Sequence, residues 1–327
     1  MRYVLPALLL AAALAALALL PGRAPRRESE VFPYRDGGVR EVPAAKISHR
    51  ETGSWRVPVE PPAFLAVLPD GRVAVAGGCA VAILDANGAA QARITWQGGA
   101  ATAVAAAPDG RLFVGTGDRV LDAGGAPGQP VAAWESLGEQ ARIAGLAASS
   151  NEVWVGDAGQ RLVWRFDHGG RLLGRLPPPG APREEAFVTP SPVFPVAALP
   201  DGTFWVANPG RNRLQLHAAD GRLLRAWSRP GMDLGSLSGC CNPAYFALAA
   251  GGAFVTSEQR IARVKIHGPD GAFRSVVAPP AAFAGDAGRP VAVDRAGRVL
   301  VLDGSRIRLF EPGRKDGRTE ERKAERP

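Results

Sequence analysis

The chain has 327 residues, of which 46% are hydrophobic and 21% charged, and a formal net charge of +8, so it holds ample apolar material for one large core. The excess charge lies at the ends: residues 1–27 carry four arginines and no acid, and the stretch after Gly313 carries six basic and four acidic residues, which leaves about +2 for everything between. Nucleic-acid binding needs a basic stripe on the folded part, so no nucleic-acid partner is expected.

In chain order, the run from Tyr3 to Leu20 is apolar and follows one arginine and the start methionine. Its length suits either the hydrophobic region of a signal peptide or a short membrane anchor. Ala16-Leu17-Ala18 offers a small-x-small cleavage pattern, and cleaved and retained forms both stay open. Residues 1–27 are therefore read as a signal peptide or membrane anchor that places the remainder outside the cytoplasm, at the cell membrane or in the periplasm. Arg23, Arg26 and Arg27 pull toward the opposite orientation. Residues 28–54, rich in Pro, Gly and charge, read as a linker. Residues 314–327, almost wholly charged or turn-forming, read as a disordered tail.

Residues 55–313 repeat. Short apolar runs are separated by turn residues in Val67 to Ile94, Val104 to Trp134, Ile143 to Leu176, Pro195 to Trp227, Phe246 to Val277 and Val291 to Phe310. The fourth copy shows the unit best. Val196 to Leu199, Thr203 to Ala207, Leu214 to His217 and Leu223 to Trp227 are strands, joined by Pro200-Asp201-Gly202, Asn208-Pro209-Gly210 and Asp220-Gly221 turns. Six copies at spacings of roughly 40 to 50 residues predict an all-β, six-bladed β-propeller. The last copy lacks a clear fourth strand, and Trp55 to Val59 is expected to supply it and close the ring.

The segments VWVGDAGQRLVWRFDHGG, FWVANPGRNRLQLHAADG and FVTSEQRIARVKIHGPDG resemble NHL repeats, an apolar strand followed by Asp or Asn, a turn, Arg and an alternating strand. The resemblance spans most of residues 64 to 310 and is weaker in the first two copies. GCCNP at 239–243 is similar to a motif of uncharacterised bacterial membrane-associated NHL-repeat proteins. The likeness implies a six-bladed propeller that binds protein or ligand.

In a propeller, the loop leading into each first strand and the loop between the second and third strands share one face. That places Cys240, Cys241 and Asn242, with Asn208, Arg161, Arg213, Arg263 and, just beyond the cysteines, Tyr245, around one mouth, which is the expected binding surface for a protein or small-molecule ligand. Adjacent cysteines outside the cytoplasm can close a vicinal disulfide, and buried free thiols are the other reading. His49 falls in the linker, while His168, His217 and His267 are expected to face solvent on the opposite side. Asp157, Asn208, Glu258 and Asp303 could form an oxygen-rich ring for calcium. No spacing demands a cofactor, and none is predicted. The leading reading is a binding scaffold; the alternative is a metal-assisted hydrolase or lyase using calcium or copper, on a ring of the kind found in calcium-dependent lactonases and copper-dependent amidating lyases.

Overall fold

Small sheets with apolar residues on both faces are stable only when each is covered on both sides, and the chain solves this by stacking six of them around an axis. The computed structural model describes residues 40–125, 128–239 and 241–313. The expectations for residues 1–27, for Cys240 and for the 314–327 tail lie outside the described residues. No described helix is long and apolar enough to cross a membrane.

Blade 1 comprises Pro62–Val67, Val73–Gly77, Ala80–Leu84 and Ala90–Thr95; blade 2, Ala103–Ala106, Leu112–Thr116, Arg119–Asp122 and the two-residue Ala132–Ala133; blade 3, Ile143–Ala148, Glu152–Asp157, Leu162–Asp167 and Leu172–Leu176. Blade 4 comprises Val196–Ala198, Phe204–Asn208, Arg213–His217 and Leu223–Ser228; blade 5, Tyr245–Leu248, Phe254–Ser257, Val264–His267 and Phe273–Ala278. Each is an antiparallel sheet in chain order. In blade 6, Val291–Val293, Val299–Asp303 and Arg306–Pro312 are completed by His49–Arg56 from the other end of the chain.

The ring closes, as expected, through an N-terminal strand that includes Trp55, but that strand runs upstream of Trp55 instead of on to Val59. The ladder pairs His49 with Pro312 and Arg56 with Arg306, so the strand starts six residues before Trp55, inside the stretch read as linker. Its polar half is held by side chains: Glu51 pairs with Arg308 at 2.6 Å and Ser54 accepts from Arg306 at 2.7 Å. Upstream, Ala44–Lys46 forms a 3-10 turn, Ile47 bridges to Val276 of blade 5, and Arg40 pairs with Asp286 at 3.0 Å.

Six apolar cores result, each shared by two neighbouring blades. Trp55, Leu300 and Ile307 of blade 6, for example, pack with Val73, Val75 and Leu84 of blade 1. Trp154 of blade 3 stacks on Phe204 of blade 4 with ring centroids 5.2 Å apart. A second contact recurs at the outer rim. Trp55, Trp134 and Trp227, on or just after the fourth strands of blades 6, 2 and 4, lie flat against Gly88, Gly170 and Gly271, the turn glycines of the next blade. A methyl group on Gly271 would sit 2.4 Å from the Trp227 ring, and its φ of +79° already favours glycine. First strands of neighbouring blades lie against one another around the axis from blade 5 through blades 6, 1, 2 and 3 to blade 4. There, Phe64 of blade 1 and Tyr245 of blade 5 meet edge to face at 5.7 Å.

Candidate functional site

Propeller geometry gathers the incoming loops and the second-to-third turns at one mouth, and the hydrogen bonds there follow one repeated scheme. At the end of the second strand stand Asp157, Asn208, Glu258 and Asp303 in blades 3 to 6. Each side chain turns toward the third strand of its own blade. Asp157 accepts from the Trp164 indole at 3.2 Å, Asn208 donates to Gln215 at 3.2 Å, Glu258 accepts from Lys265 Nζ at 3.1 Å, and Asp303 accepts from Arg308 at 3.1 Å. The same group also holds the incoming loop: Arg142 N, Val188 N and Ser238 N donate at 2.8 to 2.9 Å in blades 3 to 5, and Arg289 Nε donates at 2.6 Å in blade 6.

This scheme accounts for the four residues read as a calcium-binding ring. Each is engaged within its own blade instead of converging on the axis. Among the described residues, no group of three or more His, Cys, Asp and Glu side chains is assembled as a metal site would require.

Blade 5 carries the most elaborate version. Glu258, Arg263 and Lys265 are all 0% exposed and form two ion pairs. Arg263 also donates to Ser238 Oγ at 2.7 Å and to the carbonyls of Asp233 and Ser236, and Lys265 donates to the carbonyls of Leu234 and Ser236. Burial drives the Lys265 ammonium down to about 8, against the opposing pull of Glu258. The long connection between Ser228 and Asn242 is thereby fastened to blade 5 by buried charge, an arrangement that loses heavily if one partner is removed.

The expected binding residues separate accordingly. Asn242 is 1% exposed, bonds Ser238 O and Gln259 O through its amide, and accepts from Gln259 N at 2.9 Å. Asn208, Arg263 and Cys241 are buried as well. These four build the mouth from beneath, and among the described residues of the expected set only Arg161, Arg213 and Tyr245 reach solvent. Tyr245 joins Asp303 in a cleft of about 450 Å³ with Glu60 and Arg289, and burial raises its phenol above the ordinary range. Arg213 lines a different groove, between blades 3 and 4.

The histidines correct a further expectation. His217 and His267 are buried, at 6% and 0% exposure, and do not face solvent. Their Nδ1 atoms face the carbonyls of Gly221 at 2.9 Å and Gly271 at 3.2 Å. A carbonyl only accepts, so Nδ1 carries the proton and Nε2 is left as a lone pair with no partner among the described residues. Burial pushes His267 down to about 3 and lowers His217. His49 lies half-buried in the closing strand, with Ser48 Oγ 2.8 Å from its Nδ1.

No family model matches the chain, and no curated protein matches it. Among solved structures it is similar to a streptogramin B lyase, with 11% identity and a TM-score of 0.54 over 83% of this chain and 100% of that one. It is also similar to a structural-genomics protein of unknown function from Bacteroides thetaiotaomicron, with 13% identity and a TM-score of 0.57 over 82% of this chain and 74% of that one. At such identities the likeness shows the fold alone: a six-bladed β-propeller.

Proposed function

We propose that this protein is an extracytoplasmic, membrane-associated propeller of the NHL type that works as a binding scaffold, taking a protein or small-molecule ligand at its loop-bearing mouth. The observation that supports this reading is the double tie at Asp157, Asn208, Glu258 and Asp303, which locks each incoming loop of blades 3 to 6 to its own blade. Loops fixed before binding lose little conformational freedom on association. Arg161, Arg260 and Tyr245 offer cationic and aromatic groups on that face. The metal-assisted hydrolase or lyase reading has no comparable support, because the oxygen ligands it would use are committed to these ties.

Capture of partners from membranes tests the proposal. Arg161→Glu with Arg260→Glu, and separately Tyr245→Ala, are expected to lose the partners that wild type recovers, whereas Asp201→Ala on the opposite face is expected to keep them. Loss confined to Asp201→Ala would assign function to the wrong side of the ring. Arg263 is unsuitable for such a test, since its substitution disturbs the buried core of the loop.

A further inference from the structure

Blades 4 and 5 carry the same alternation on their third strands: Arg213-Leu214-Gln215-Leu216-His217 and Arg263-Val264-Lys265-Ile266-His267. Both segments start opposite the second-strand residue described above, Asn208 or Glu258. Leu214 and Leu216 turn into the core shared with blade 5. The three polar side chains project to the other side, spaced by about 7 Å along the strand.

In blade 5 that polar face is covered. Glu258 and carbonyl oxygens of the 228–242 loop accept from both Arg263 and Lys265. In blade 4 the same face opens into a groove of about 620 Å³, lined by Arg213, Gln215, His217 and, paired with His217 on the next strand, Leu223 of blade 4, and by Leu176 of blade 3 and Phe187 of the connection that follows it. On this strand Asn208, neutral and shorter than Glu258, reaches only the side-chain oxygen of Gln215. The guanidinium of Arg213 and the amide N–H groups of Gln215 donate to nothing among the described residues, although Gln215 is only 3% exposed. Glu185 and Asp220 line the groove as well, and neither forms an ion pair with Arg213. Leu223, beside His217 on the neighbouring strand, is 41% exposed.

We propose that the groove between blades 3 and 4 is a binding site for a carboxylate carried on an apolar body. Its oxygens take the place at Arg213 and Gln215 that Glu258 and the loop carbonyls fill in blade 5, and its apolar part lies against Leu176, Phe187 and Leu223. The volume falls within the ~300–1,000 Å³ of small-ligand sites. The groove is separate from the Tyr245 cleft, so this proposal stands or falls independently of the reading above.

The test is titration calorimetry on the full chain with hexanoate against hexanamide, and with acetyl-Leu-Phe against its carboxamide. At least one acid is expected to bind about ten-fold or more tighter than its amide, as a charge-assisted hydrogen bond implies. If the dipeptide acid is the tighter of the two acids, the natural ligand is a peptide C-terminus; if hexanoate is, it is a small carboxylic acid. Arg213→Gln and Gln215→Leu are each expected to weaken the acid about ten-fold. Arg225→Gln, on the blade-5 side of the same blade over Trp205, is expected to leave it unchanged. Acids binding no tighter than amides, no saturable binding up to about 10 mM, or an Arg213→Gln protein that binds like wild type would each overturn the assignment.

Discussion

Gly271→Ala tests the rim contact between blades 4 and 5 and can be separated from backbone strain by a matched control. At Gly271 the φ is +79° and an added Cβ would lie 2.4 Å from Trp227 Cδ2, 2.5 Å from Cε3 and 2.7 Å from Cγ. At Gly297 the φ is also +79°, but nothing lies within 4 Å. Both alanines carry the left-handed penalty of roughly 1–2 kcal/mol. Only Gly271→Ala must also displace an indole that is 8% exposed and packed on Phe254 at 5.4 Å and His267 at 5.3 Å, an overpacking cost of about 1–3 kcal/mol. Urea unfolding should therefore show Gly297→Ala losing about 1–2 kcal/mol and Gly271→Ala about 2–5 kcal/mol. Equal losses at the two positions would refute the claim that the tryptophan contact holds the blades together.

Glu258→Ala leaves Arg263 and Lys265 buried without their carboxylate and is expected to destabilise the fold by about 3–5 kcal/mol; limited proteolysis should then cut first between residues 228 and 242, and an unchanged digestion pattern would show that the loop is held by other means. His267→Phe is expected to flatten the acid limb of the stability profile. The folded histidine titrates at about 3 and the unfolded one near its ordinary value of 6.5, so between those values the unfolded chain binds a proton that the folded chain does not. Wild-type stability from this group therefore falls by up to about 1.4 kcal/mol per pH unit as pH drops through that window. Parallel acid profiles for wild type and His267→Phe would contradict this burial.

The propeller could be read from the sequence because its punctuation is local: Asp201-Gly202 and Asp220-Gly221 announce reversals whatever surrounds them. The closing strand was harder to place, because HRETGS at 49–54 has no apolar alternation and its register depends on Glu51 and Ser54 reaching Arg308 and Arg306 more than 250 residues away. The ties at the candidate site are hidden in the sequence for a related reason. Residue type shows that Asp157, Asn208, Glu258 and Asp303 can offer oxygen, but not that Trp164, Gln215, Lys265 and Arg308 supply the donor or amide each one meets. Burial of His217 and His267 is likewise hidden, since it arises from His217 stacking on Phe204 and His267 packing at a tilt against Trp227. Gln215 does carry a sequence signal: aligning RLQLH with RVKIH exposes the shared polar face.

That alignment extends to two more blades, with Trp164 and Phe166 in blade 3 and Arg308 and Phe310 in blade 6 at the positions of Gln215 and His217. Across the four, the partners change together: Asp with an indole, Asn with an amide, Glu with an ammonium, Asp with a guanidinium. A position whose two members change as a matched pair is maintaining a structural tie, which is why the oxygen ring is better explained by scaffold than by metal. Blade 4 is the exception within that pattern. Among the four it alone uses an uncharged pair, and among the described residues the arginine that opens its third strand meets neither a carboxylate nor a hydroxyl such as the one Arg306 of blade 6 meets. Because the tie itself is intact there, the open groove beside Arg213 does not come from a defect in the scaffold, and the missing negative charge is left for a ligand to bring.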